Sequence, residues 1–341
     1  MKNFILFLVI FIFSLFFTAC STKEVFEPKI VVAEWEHHGD AKERLVDTTS
    51  NAALLESGKV LLKSSTVNID IAPDNRLISS SDGWILSATI DGNLTLTSID
   101  DTTTKEVFNL KKTIASASVK DDILAVLFAD NELGLYYIST KETILKEQGE
   151  AAIIADARIV NPYFMNGLVI FSTLDGKIVI INEKLKKKLR TVIVSSEDHF
   201  NNIIYFNVID SKLIAATAYK MLSMSKKEVR AKYEIRNIAY DEKDIFITTK
   251  QGELISMTPD LQVNAKLKFP FAHFLGMIVT DDNVYILEKE GYIIEVSKDL
   301  LTYSVYEVDV NEGFVFVSED RFYVDDNYIS VKDPSKTQNN E

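Results

Sequence analysis

Four histidines and one cysteine limit the chemistry open to this chain of 341 residues. Ser195, Asp198 and His199 are the residue types of a nucleophilic triad. A triad needs a chain of hydrogen bonds in space, which near-neighbours in one loop do not supply. His37 and His38 are adjacent, with no further ligand at a spacing that points to a metal, and read as exposed loop residues. His273 stands among aromatics in Phe271-Ala272-His273-Phe274 and reads as a packing residue. No nucleophile elbow, phosphate-binding loop, paired-histidine zinc motif or calcium loop occurs. A single cysteine rules out an intrachain disulfide or a cysteine-rich cluster. The expectation is a chain that is not an enzyme and has no metal or cofactor.

Charge offers two other candidates. Asp121, Asp122, Asp210, Asp241, Asp244, Asp281 and Asp282, with Asp320, gather at expected hairpin turns. Equivalent turns of a repeat share a face, so these acids are expected to ring a central channel and form an acidic face for a cation or a basic partner. The plainer reading is that Asp suits tight turns. Lys184, Lys186, Lys187, Lys188 and Arg190 form a basic run in an acidic protein, on an outer rim. It reads either as a patch for anionic lipid or an acidic partner, or as an edge strand protected by lysines. With 37 basic and 50 acidic residues the net charge is −13, which argues against nucleic acid as a partner.

Cys20 has the most specific surroundings. Lys2 precedes an apolar run from Phe4 to Phe17, broken only by Ser14; its 14 residues suit a secretory signal and are too few to span a bilayer as a helix. Small Ala19 then precedes Cys20, and polar residues follow. Residues 17–21, Phe-Thr-Ala-Cys-Ser, resemble a bacterial lipoprotein signal cleaved before a cysteine that becomes lipidated. The expected divisions are a signal peptide at 1–19, a lipidated tether at 20–28, one domain at 29–332 and a frayed tail at 333–341. Removing 1–19 takes away one Lys and no acid, so the mature net charge is −14.

The elements that must position these residues repeat. A strand, a polar turn, a strand, a tight turn, a third strand and a weaker fourth recur along the chain. The clearest copies lie at 84–99, 123–138, 168–183, 245–258 and 284–297. Weaker ones lie at 53–62, 212–226 and 321–331. The central turns fall near Gly58, Gly92, Glu132, Gly176, Lys220, Gly252, Gly291 and Asp326, about 38 residues apart. Four strands per unit of that length point to an all-β propeller of about eight blades, with seven as the alternative. An open solenoid or a pair of sandwiches is the competing architecture. The last copy offers three strands, so an N-terminal strand, with 29–36 as the candidate, is expected to complete it and close the ring.

Residues 17–21, the full-length array and hairpins such as LDGKIVII and KQGELISM together resemble the propeller lipoprotein of the outer-membrane β-barrel assembly machinery, the BamB family. The third strands here lack the Gly-x-x-x-Trp ending usual in that family. The resemblance implies a non-catalytic, monomeric scaffold, held in the outer membrane by its lipid and facing the periplasm. Its implied partner belongs to the assembly machinery. Quinone-dependent dehydrogenases share the repeat type but dock their blades with many tryptophans, where this chain has only Trp35 and Trp84. The alternative function is a surface or envelope lipoprotein that binds another protein or a polysaccharide.

Overall fold

Alternating and continuous apolar runs of Val, Ile, Leu and Phe, cut by Asp, Asn and Gly turns, produce strands throughout. A computed structural model describes residues 24–152, 156–197 and 201–331. Cys20, the signal peptide, His199 and the 333–341 tail lie outside the described residues. The described chain forms eight four-stranded antiparallel sheets arranged as a β-propeller. We number the blades along the chain: 45–67, 76–109, 114–148, 163–193, 205–232, 235–268, 274–307, and 315–330 completed by His38–Asp40.

The first strand of each blade is innermost, and first strands of neighbouring blades pack together at the junctions of blades 1–2, 2–3, 6–7, 7–8 and 8–1. Because neighbouring strands are antiparallel, first-to-second and third-to-fourth turns share one face, here called the acidic face. Second-to-third turns and the links between blades share the other. Gly92, Gly176, Gly252 and Gly291 occupy the central turns of blades 2, 4, 6 and 7 with φ between 75° and 92°. In blade 3 that conformation is taken by Asn131 at φ 66°. Its side chain donates to Glu150 O (2.8 Å) and accepts from Leu174 N (3.0 Å), tying blade 3 to blade 4.

The apolar residues do not make one core. They make eight clusters, one per blade junction, each fed by facing sheets. Blade 6 and blade 7, for example, bury Phe246, Leu254, Phe274, Ile286 and Ile294 together. The junction of blades 8 and 1 is the thinnest, with Leu45, Ala53, Leu55, Leu61 and Phe316.

The ring closes through an N-terminal strand, as expected, but not through 29–36. His38–Asp40 pairs antiparallel with Asn327–Ser330 as the outermost strand of blade 8, so His38 is a strand residue rather than a loop one. Residues 32–35 instead run parallel to the outermost strand of blade 7. Val32 N donates to Val305 O (2.9 Å), Glu307 N to Ala33 O (3.0 Å) and Trp35 N to Glu307 O (2.7 Å). The apolar run within 29–36 is compatible with either edge. Trp35 decides between them: its ring wedges between blades 7 and 8, beside Tyr306 and Tyr285, and its Nε1 donates to Ser330 O (2.9 Å). Further back, within the expected tether, Phe26 is 5% exposed and sits in the blade 6–7 cluster, edge-on to Phe269 and Tyr292.

Candidate functional site

The acidic face is built from turn chemistry. In blade 2 the first turn is Asp82-Gly83 (φ 48° and 79°), and in blade 5 it is Asp210-Ser211 (φ 49° and 58°). These are the doubly left-handed geometries of two-residue hairpins, which Asp tolerates. Asp121 also has positive φ, at 51°. In blade 6 the turn is longer, and Asp241 Oδ1 accepts from Lys243 N (2.8 Å) and Asp244 N (2.7 Å). Asp121, Asp122, Asp210, Asp241, Asp244, Asp281, Asp282 and Asp320 all lie in first-to-second strand turns, on one face.

Most of these carboxylates already have partners. Lys298 reaches Asp241 across the blade 6–7 junction (2.8 Å), Lys212 reaches Asp210 (2.9 Å), and Asn264 donates to Asp244 (2.8 Å). Ser139 donates to Asp122 through both N (2.8 Å) and Oγ (2.7 Å). Asp82 takes Asp121 N (2.8 Å) and Lys120 (3.2 Å), linking blades 2 and 3. The Asp121 amide and the Lys120 ammonium hold Asp82 below the usual carboxylate range against a small burial penalty. Burial pushes Asp241 up, but Lys298 and the two turn amides outweigh it and leave it low. Asp121, Asp281 and Asp282 remain exposed. An open cleft of about 610 Å³ lies between blades 6 and 7 on this face, lined by Asp241, Asp244, Asp281, Asn264, Lys298 and Asp299. Among the described residues no three His, Cys, Asp or Glu side chains converge as metal ligands would.

The basic run occupies the third-to-fourth turn and outermost strand of blade 4, Lys187–Ile193. Lys184, Lys186, Lys187, Lys188 and Arg190 are all exposed. Lys188 pairs with Glu147 of blade 3, and Arg190 with Glu228 of blade 5 (3.2 Å). Lys186 lies over the Tyr137 ring, 5.3 Å from its centroid. The strand therefore clasps both neighbouring blades at the rim while its lysines guard an unpaired edge.

One feature escapes sequence reasoning. Residues 156–161, in the link between blades 3 and 4, cross the central channel. Asn202 of the blade 4–5 link donates to Asp156 O (3.2 Å) and Arg158 O (2.9 Å). Arg158 pairs with Asp156 and donates to the Ile235 (3.4 Å) and Arg236 carbonyls at the start of blade 6. Val160 O accepts from Ser116 of blade 3 (3.1 Å), and Asn161 donates to Ser50 of blade 1 (3.1 Å). A segment between blades 3 and 4 that touches blades 1, 3 and 6 and the blade 4–5 link spans the hole. The acidic turns consequently do not surround an open pore. The available signal was negative: a long link without strand pattern, followed by a first strand of only three residues, Tyr163–Met165.

The sequence matches no protein-family model. It is 32% identical over 219 residues to a plasminogen-binding protein, PgbB, of Helicobacter pylori strain J99. It is 33% identical over 220 residues to its counterpart in strain 26695. Each match covers 63% of this chain and 40% of the relative, so the matched stretch spans well under half of each relative's length. Among solved structures, BamB from Moraxella catarrhalis superposes with a TM-score of 0.65 at 12% identity, over 85% of this chain and 98% of that one. The C-terminal WD40 domain of Sif2 superposes at 0.60 and 10% identity, over 92% and 100%. At such identities the likeness is one of fold.

Proposed function

We propose that this chain is a non-catalytic, lipid-anchored propeller of a bacterial cell envelope whose task is to bind another protein. The observation that carries the reading is the 32–33% identity to two plasminogen-binding proteins over 63% of the chain. Sequence likeness of that extent bears on function more directly than a shared propeller fold, which hosts many unrelated activities. Lipidation at Cys20 would hold the disc at the membrane, and Ser21 after it favours the outer membrane. Plasminogen, the ligand named for the relatives, is the first partner to test. Full-length lipoprotein in detergent is passed over immobilised plasminogen, and intact cells are shaved with protease. Saturable binding together with cleavage on intact cells supports a surface-exposed binder. No binding, or protection from protease, counts against it.

The second reading is a scaffold for assembling β-barrel proteins into the outer membrane. It is favoured by the lipoprotein-like residues 17–21 together with the superposition on nearly the whole of BamB. Tagged protein purified from solubilised envelope should then enrich the central β-barrel assembly protein, and a deletion strain should lose porins. Wild-type porin levels without enrichment would sink this reading.

A further inference from the structure

We propose that the rim of blades 6 and 7, together with the N-terminal strap laid across it, is a membrane-contact surface that holds the disc edge-on to the bilayer. The inference rests on the lipid at Cys20 proposed above and adds an orientation to it. Three observations meet at this rim. The strap is fixed to it, through Phe26 in the blade 6–7 cluster and the parallel pairing of residues 32–35 along blade 7. Cys20 is only six residues before Phe26, which spans at most about 21 Å when extended. A lipid there keeps this rim, and no other, close to the bilayer. Around the same place large apolar side chains face solvent: Leu301 is 80% exposed, Ile30 76%, and Val32, Val263 and Tyr303 more than half. Exposed apolar groups gathered at one place mark an interaction surface, and a tyrosine among them suits the headgroup level of a bilayer.

The apolar rim and the chain leading to the lipid therefore specify the same occupant. Edge-on docking turns blade 2, on the opposite side of the ring, away from the membrane. Both faces of the disc then remain open to a protein partner. The exposed Leu185 and Leu189 of blade 4 belong to the basic strand, a quarter-turn or more round the ring from where the strap is fixed.

The protein's only cysteine makes the test clean, because lipidation consumes it and a single introduced thiol then labels uniquely. Full-length lipoproteins carrying Leu301→Cys, Val32→Cys, Leu185→Cys or Val107→Cys are labelled with an environment-sensitive fluorophore. They are reconstituted in phosphatidylethanolamine–phosphatidylglycerol vesicles containing nitroxide lipid. Probes at 301 and 32 should enter the headgroup–acyl boundary, where interfacial groups sit about 5–10 Å deep, and be strongly quenched. Probes at 185 and 107 should not. Equal quenching at 185 and 301 would mean flat docking and overturn the proposal, as would no quenching at any position. If mass spectrometry finds Cys20 unmodified, the anchor fails separately. The rim is then read from co-sedimentation of the unlipidated chain with the same vesicles. Loss of binding in Ile30→Glu/Leu301→Glu supports the rim, and absence of binding by the wild-type chain overturns it.

Discussion

Lys63 occupies an unusual place for a lysine. It lies at the junction of blades 8 and 1, 4.6 Å from the Phe316 centroid, and donates to Val317 O. Burial pushes its pKa down from the ordinary 10.5 to about 8. Below about pH 8 the folded protein holds a charged ammonium in a poor solvent. Between about 8 and 10.5 the unfolded chain binds the proton more tightly, so stability from this group rises with pH across that window. Relative to Lys63→Met, the wild type should gain about 1–2 kcal/mol from one end of the window to the other, allowing for partial exposure of the ammonium. Urea melts of both proteins at pH 7.5, 9 and 10.5 would show this; parallel curves would refute it. Glycine gives a second test at this scale. Gly252 and Gly83 both have positive φ (75° and 79°), but a Cβ at 252 would run into the Phe269 carbonyl, whereas one at 83 meets nothing within 4 Å. Gly83→Ala should cost about 1–2 kcal/mol from backbone strain alone. Gly252→Ala should cost clearly more, because it also breaks the turn that receives Phe269 N at 2.7 Å. Comparing the two melting curves isolates the clash. The aspartates were legible in the sequence as turn residues for the same reason: two-residue hairpins require positive φ, and side-chain type reports it. Their lysine partners were not, because Lys298 and Asp241 are brought together only by blade packing.

Strands and their repeat were legible because every blade solves the same problem locally. A short apolar run, a positive-φ turn and another run need no distant information. The two segments that sequence reasoning misplaced or missed each depend on distant partners. The 29–36 run has the β-branched apolar residues of a strand, but which edge it joins depends on where Trp35 is buried, and that pocket is made by Tyr285, Tyr306 and Ser330. The channel-crossing link has no periodicity, since its groups bond to blades 1, 3 and 6 and to the blade 4–5 link. Phe26 tests the strap as an element. Phe26→Ala removes a nearly fully buried ring from between Phe269 and Tyr292 and should cost about 3–5 kcal/mol if the strap is part of the fold. Its neighbour Val25 is exposed, and Val25→Ala should stay within about 0.5 kcal/mol. Trypsin cleavage at Lys29 should accelerate in the first variant and not in the second. Equal stability of both would mean that residues 24–28 are a tether after all.

At the scale of the whole molecule, stability is a circle of eight junctions rather than one core, so each blade depends on its neighbours. A closed ring must lose two junctions to release a blade, and it opens first where a junction is thinnest. That place is blade 8 against blade 1, which buries Leu45, Ala53, Leu55 and Leu61 around the single ring of Phe316 with only Tyr323 half-buried against them, whereas the similar buried set between blades 1 and 2 is backed by Leu54, Leu62, Val67, Ile71 and Ile99. Blade 8 is also the composite one, closed by the three-residue strand His38–Asp40. The acidic net charge of −13 adds a general repulsion that a weak seam feels first. Phe316→Ala should therefore cost about 3–5 kcal/mol, and the loss should be localised. Hydrogen exchange should quicken in strands of blades 8 and 1, at Val315–Val317 and Leu45–Thr48, while Ile123–Phe128 and Leu168–Ser172 in blades 3 and 4 keep their protection. The same truncation at Phe246, inside the larger blade 6–7 cluster and far from the seam, should leave blades 8 and 1 protected. Uniform acceleration across all eight blades in the Phe316 variant would show instead that the ring unfolds as one unit and that the seam is no weaker than the rest.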